Sequence, residues 1–510
     1  MDATKQLESE KIPKLLWIYA WPAVISQIIS SVYNICDRVF LGQNVGALAL
    51  AGLALTMPLM NIVHAFGALV GAGASARMSI VLGRKDVRWA EKILGNSVVL
   101  TFLFGFLFVT GGYLFMNPLL EMFGASADTI AYAREYMYIV LPGMFFVTLT
   151  FNLTGLMRAT GYPTKAMLIL AGGAILNILL DALFIIVFEW GIAGAAWATT
   201  ASMVVSSIFA VVHFIPHQHY SKPTSKDNRF NFRRPVLSAT LVTPSGGSGK
   251  AMHASGNDAF ICFRRHAWRP KMYIFRNILA IGISPFSMNV AGCVVVALLN
   301  NQLIRYGGDL AIGANGIVNS ATMIVLMVFL GICQGMQPIA GYNYGAGRQD
   351  RLKEIYLLTM KITVAIAVVA TAVAMLFPEA ILRCFTTEDD LVAIGIPAMR
   401  YLIVMCPLIG YTVVNSQFFQ SIDSPWIAIV TSLSRQVLFL TPLVYIVPRL
   451  FEGWGYDGLT GVWVSCTISD VMGAILSTVL LLTQLKVFRP GYVAPERRPL
   501  KEHGPSDEKQ

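Results

Sequence analysis

The sequence predicts an all-α integral membrane protein of twelve transmembrane helices in two parallel six-helix repeats. Three observations predict it. Hydrophobic residues make up 55% of the 510 and charged residues only 13%, about half the ~25% of a soluble domain, and the mean hydropathy is +0.62. Twelve apolar runs reach the length of about 20 residues that a spanning helix needs. Landmark residues recur at a nearly constant spacing of about 264 positions between the two halves. This composition excludes a disordered chain. It also excludes a nucleic-acid binder, despite the net charge of +10.

Residues 1–14 read as a polar cytoplasmic tail, and no cleavable signal is expected, because the run from Leu15 is too long for a signal core. The spans fall at 15–41, 48–80, 93–115, 131–155, 165–188, 192–215, 278–304, 311–340, 356–378, 392–416, 425–448 and 458–484. Turn and charge signals separate them, among them Gly83-Arg84-Lys85-Asp86, Gly161-Tyr162-Pro163, Gly307-Gly308-Asp309 and Gly347-Arg348-Gln349-Asp350. With the N-terminus inside, 29 of the 38 Lys and Arg fall on the cytoplasmic side, four outside, and five in or beside spans. The bias places both termini in the cytoplasm and accounts for the basic charge as contact with anionic lipid.

The repeat aligns Gly83-Arg84-Lys85-Asp86 with Gly347-Arg348-Gln349-Asp350, Pro22 with Pro285, Tyr136 with Tyr401, Pro163 with Pro425, and Gly191 with Gly458. An even number of spans per half makes the repeats parallel. The expected domains are a 1–14 tail, a 15–216 lobe, a basic 217–276 linker, a 277–485 lobe and a 486–510 tail. The linker shows no sustained helical period and reads as flexible. Its Gly246-Gly247-Ser248-Gly249-Lys250 fails the phosphate-loop pattern, since position 244 is Pro and Ala251 follows the Lys. His217 with His219 and Cys262 with His266 have metal-like spacing but lie in that linker. The seven Cys are odd in number and unpatterned, which gives no disulfide framework.

Three acids sit inside apolar spans away from their ends: Asp37, Asp181 and Asp470. Each costs about 2.5–3.5 kcal/mol at a span centre on insertion scales, so each needs a reason. At 1.5 Å per residue, Asp37 lies about 8 Å below the outer end of its span, and Asp181 and Thr199 about 12 Å below theirs. Tyr33 and Asn177 join by i,i+4 spacing to Asp37 and Asp181. This oxygen-rich set suits a proton or Na⁺ rather than a transition metal. The plainer role for such groups is interhelical hydrogen bonding, worth about 0.6–2 kcal/mol each; the acid pair at one depth favours ion coupling. The second half carries no counterpart: Asn300 stands at the position matching Asp37, and 443–448 holds no acid. Asp470 and Arg435 lie near the midplane of adjacent spans, and read as either a structural ion pair or a substrate contact.

With these residues in place, the sequence resembles the multidrug and toxic compound extrusion (MATE) family across all twelve spans. The resemblance is carried by Trp21-Pro22 through Gln27 to Asp37-Arg38-Val39-Phe40-Leu41-Gly42. It continues in Gly155-Leu156-Met157-Arg158 with Gly161-Tyr162-Pro163, in Asn177 through Asp181, and in Gly191 through Thr199. It implies two lobes in a V, and export of amphipathic, often cationic compounds in exchange for H⁺ or Na⁺. It further implies a cation site at Tyr33, Asp37, Asn177, Asp181 and Thr199, with a helix bend at Pro22. Additional acids that some members carry on spans 7 and 10 are missing, and the linker is longer than usual.

The expected partners are a small amphipathic substrate and the bilayer, with no nucleic acid or nucleotide; no cofactor is expected beyond the coupling ion, and the chain is expected to be a monomer in the plasma membrane. The alternative is a related flippase of lipid-linked saccharides, which would want a cationic cavity. A membrane-embedded enzyme would want a His/Asp constellation; His64 and His213 lie on different spans without acids nearby.

Overall fold

A computed structural model of the chain describes residues 3–45, 47–122, 129–215, 261–386 and 388–492. Its helices are α1 (Ala3–Ser9), α2 (Ile12–Asn44), α3 (Ala47–Gly83), α4 (Val87–Leu114), α5 (Met116–Met122), α6 (Ile130–Ala159), α7 (Pro163–Asp181) and α8 (Gly191–His213) in the first half. The second half holds α9 (Met272–Gly345), α10 (Gln349–Leu376), α11 (Pro378–Arg383), α12 (Asp389–Ile403), α13 (Cys406–Ser421), α14 (Pro425–Leu433), α15 (Thr441–Gly453) and α16 (Gly458–Gln484). Pieces of π-helix, Ala182–Val187 and Ser434–Leu440, extend α7 and join α14 to α15. Among the described residues there is no strand.

Eleven helices are long and apolar enough to cross a membrane, and the bent pair α12 and α13 makes a twelfth span. Its two pieces meet at 47°. The cause is local: Pro407 opens α13 and has no N–H to give to the carbonyl four residues back. α9 holds two spans, Met272–Gly308 and Leu310–Gly345. They join at Gly308, whose φ of 65° and ψ of −163° suit only glycine. Proline also opens α7, α11 and α14, where its missing N–H costs nothing. α2 runs unbroken through Pro22, and Ser26 Oγ donates to the Pro22 carbonyl at 2.8 Å.

The duplication is visible in the backbone. Short helices follow the third and ninth spans, at Met116 and Pro378, 262 positions apart. The turns before α4 and α10 each hold a positive φ, at Lys85 and Gly347, again 262 apart. So do the turns before α7 and α14, at Gly161 and Asp423. The repeat therefore registers at 262 in these turns. The 264 spacing of the Gly83-Arg84-Lys85-Asp86 match is two residues out of this backbone register.

One hydrophobic core at the terminal end, where α1 and Tyr492 lie, unites residues of both halves, from Leu15 and Met78 to Met336 and Phe418. At the far end each half keeps its own core, around Tyr136 in the first and Trp463 in the second. The two lobes thus form a V closed at the terminal end. The closure depends on backbone-to-backbone approach: a Cβ on Gly83 would lie 2.1 Å from the Tyr342 carbonyl oxygen, and one on Gly345 2.0 Å from that of Ile80. α1 adds a clasp. Glu8 accepts from Lys85 of the first lobe at 3.2 Å and from Arg348 of the second at 2.9 Å. The hydrogen bond from Lys85 is the main reason the Glu8 carboxyl sits below its usual pKa. The clasp is therefore intact above the ordinary carboxylate range and loosens as pH falls through the lowered value.

Most of the expected linker, residues 217–260, lies outside the described residues. Its last part differs from the flexible segment read from composition: the second lobe's first helix starts at Met272 rather than 277, and Ile261–Lys271 is a strap docked on the first lobe. Phe263 N–H donates to the Phe214 carbonyl at 2.9 Å, and Arg264 pairs with Glu91 at 2.8 Å. Asn96 donates to the carbonyls of Ala267 (3.3 Å) and Arg269 (3.2 Å) and accepts from Lys271 N–H at 2.8 Å. Asn96→Ala strips partners from three strap backbone groups. It is expected to cost about 1–3 kcal/mol, read as a lower Tm in detergent with faster tryptic cleavage at Arg264 or Lys271. A deletion confined to 226–258 is expected to leave both readouts and surface expression unchanged.

Candidate functional site

The first lobe collects the polar residues that the sequence singles out. α2 supplies Tyr33 and Asp37, the end of α7 supplies Asn177 and Asp181, and α8 supplies Thr199 a little over two turns in from its Gly191 start. Asp181 is fully buried, Asp37 is 9% exposed, and Asn177 and Thr199 are buried. The carboxamide of Asn177 fits best with its nitrogen donating to Asp181 Oδ2 at 3.2 Å and its oxygen accepting from Thr199 N–H at 3.3 Å. The opposite orientation would aim a carbonyl at a carboxylate. Oδ1 of Asp181 is buried without a hydrogen-bond partner. Asp37 lies close enough to Asp181 for the two charges to interact.

α7 passes into π-helix immediately after Asp181. A π turn takes an extra residue per turn, and such segments cluster at functional sites. Chemically, the arrangement brings two carboxylates, a carboxamide and hydroxyls together in a buried volume. That set can exchange a proton or coordinate a hard monovalent cation through oxygen.

One member was not read from the sequence. The buried phenol of Tyr136, on α6, is within hydrogen-bonding reach of Thr199 and feels Asp37, Tyr33 and Asp181. Its sequence signal was only a repeat match to Tyr401. An uncharged phenol in a span carries little desolvation cost, so nothing marked it out.

In the second lobe Arg435 Nη1 bonds Asp470 Oδ1 at 2.9 Å, with Asp470 nearly buried. Arg435 lies on the Ser434–Leu440 π-helix. The pair is on the lobe opposite the acid cluster and shares no residue with it. A separate cavity of about 380 Å³ lies between α3, α4 and α6, walled by Phe66, Phe104, Phe108, Phe145 and Met144. None of the five sequence-predicted site residues lines it.

A second unread pair is buried between the lobes. Arg77 on α3 bonds Asp423, in the turn between α13 and α14, at 2.9 Å. Arg77 is one of the five basic residues in or beside the expected spans, and Asp423 stands outside every expected span.

The family model MatE matches residues 22–183 and 284–446, once per lobe. The chain is 23% identical over 483 residues to the multidrug export protein MepA of Staphylococcus aureus, covering 94% of this chain and 96% of that protein. It is 23% identical over 474 residues to MepA of Staphylococcus haemolyticus, covering 93% and 94%. Among solved structures, a MOP superfamily transporter from Pyrococcus furiosus superposes with a TM-score of 0.80 at 23% identity, covering 94% of this chain and 97% of that one. The outward-facing conformation of a multidrug resistance MATE family transporter superposes with a TM-score of 0.79 at 23% identity, over 94% and 97%. Two matched halves, a two-lobe helical bundle and relatives matched nearly end to end lead to one assignment: the chain belongs to the MatE family, and is a membrane efflux transporter rather than an enzyme.

Proposed function

We propose that the chain is a cation-coupled antiporter that exports amphipathic, cationic compounds in exchange for H⁺ or Na⁺. The observation that carries this reading is the buried acid pair, Asp37 and Asp181, with Asn177 and Thr199 bonded around it in one lobe only. The ion is a transported substrate. A proton on Asp181, or a cation against its Oδ1, supplies the partner that this buried oxygen needs. Because the ion binds one conformation more tightly than the other, it biases the equilibrium between outward-open and inward-open states. Rocking one lobe against the other exposes the site to alternate sides. The Lys/Arg bias puts the closed terminal end in the cytoplasm of a cell with this protein in its plasma membrane, so the V opens outward. MepA relatives described as multidrug export proteins support a drug-like substrate.

The test is transport by purified protein in liposomes loaded with a cationic dye. Dye flux driven by an imposed ΔpH or ΔpNa is expected, and the gradient that drives it names the ion. Dye flux indifferent to both gradients would sink the antiport reading. Translocation of a lipid-linked saccharide in its place would favour the flippase reading.

A further inference from the structure

The Arg77–Asp423 pair crosses the seam between the lobes at their closed end. Arg77 is 1% exposed and the Asp423 side chain 4%. Both charges are out of water, so their attraction is weakly screened. The guanidinium also lies 5.2 Å from the ring of Trp89 on α4. Trp89 in turn meets Tyr273 edge-on, at 6.4 Å, just after the strap. The latch therefore rests on the first lobe through α3 and α4, on the second through the α13–α14 turn, and on the lobe junction through Tyr273.

The internal repeat shows that this pair is an addition to the fold. The position 262 before Asp423 is Gly161, at the same place in the equivalent turn, and both have positive φ, 57° and 98°. The position 262 after Arg77 is Ile339. Nothing on the other side of the pseudo-twofold axis is charged at these two places. Asp423 thus adopts a left-handed conformation that glycine takes without strain and that L-residues other than Asn and Asp seldom take. Backbone strain of this kind persists where the side chain does something the fold alone does not require.

We propose that Arg77 and Asp423 are the latch of the inner gate. The pair is made while the V opens outward. It breaks when the terminal end opens, and water then solvates each charge separately. Losing the pair penalises the closed state, where the remaining charge stays buried, more than the open one, so removing one partner drives the gate open. Removing both deletes the two buried charges together and restores a closed seam held by the remaining contacts, the glycine approaches among them. This rests on the alternating-access reading but not on the coupling site or its ion.

The test uses full-length protein carrying Ser79→Cys. Ser79 is fully buried, and a Cβ on Gly341 of the other lobe would lie 2.9 Å from its Cβ. The rate of reaction with a maleimide, read by mass spectrometry of the peptide containing position 79, reports opening of the seam without any gradient. Asp423→Gly is the main variant, because glycine relieves the turn while deleting the charge. Asp423→Gly and Arg77→Met are each expected to raise the labelling rate about tenfold or more, and Arg77→Met/Asp423→Gly to return it to within about threefold of the parent. Labelling at the parent rate in folded Asp423→Gly protein would overturn the proposal, whatever happens to Tm. So would failure of Asp423→Gly to fold, which would mark the pair as purely structural. If dye flux proves independent of gradients, the labelling result still stands or falls by itself.

Discussion

Asp37→Asn and Asp181→Asn are each expected to reduce gradient-driven efflux to the level of empty liposomes while leaving the protein folded. Asparagine keeps the shape and hydrogen-bonding capacity of aspartate but does not titrate. Equilibrium drug binding is expected to survive in part, because the change removes the ion's handle and not the lobes. Stability is not expected to fall, since an acid at a span centre costs about 2.5–3.5 kcal/mol on insertion scales. Asn177→Ala removes the donor to Asp181 Oδ2 and the acceptor of Thr199 N–H. With Thr199→Ala it is expected to give a partial defect, larger for Na⁺ than for H⁺, because a proton needs one carboxylate and Na⁺ a cage of oxygens. Proteoliposome flux under ΔpH or ΔpNa decides. Wild-type flux in both Asp→Asn variants would remove the acid pair from the mechanism and leave the first lobe without its assigned role.

The second large effect is expected at Arg435 and Asp470. The ion pair at 2.9 Å neutralises two groups that the bilayer interior otherwise penalises. Arg435→Met or Asp470→Leu alone strands a charge and is expected to destabilise by about 3–5 kcal/mol. The double variant strands none and is expected to recover most of that loss. A detergent thermal-stability series measures all four proteins. Losses that merely add in the double variant would show that the two side chains do not act as a pair. Full stability with altered drug selectivity in the single variants would instead make Arg435 a substrate contact.

The spans were readable because crossing a bilayer demands about 20 apolar residues in a row, and no soluble element imposes that. The acid pair was readable for the converse reason, since Asp37 and Asp181 are costly where they stand. Features without such a cost stayed hidden. Tyr136 joins the acid cluster from α6 as a neutral phenol. Asp423 sits in a turn, where acids are ordinary, and only its partner's burial and its positive φ set it apart. The repeat was found from side-chain matches, yet those at Gly83 and Gly347 are two positions away from the backbone register that Lys85 and Gly347 share. The bend in the tenth span follows from Pro407, but periodicity alone joins α12 to α13 as one run. Composition called the strap flexible because Ile261–Lys271 is held chiefly through its backbone by Asn96, and backbone contacts leave little trace in residue type.

The strap changes what an engineer can do with the chain. Ile261–Lys271 lies on the first lobe, and α9 of the second begins at the next residue. The covalent crossing between lobes is therefore a single peptide step, however many residues precede it. A fluorescent protein inserted near 240 would travel with the first lobe and report where the transporter is. A small probe at Pro270 or Lys271 would sit on the fulcrum and report what the transporter is doing.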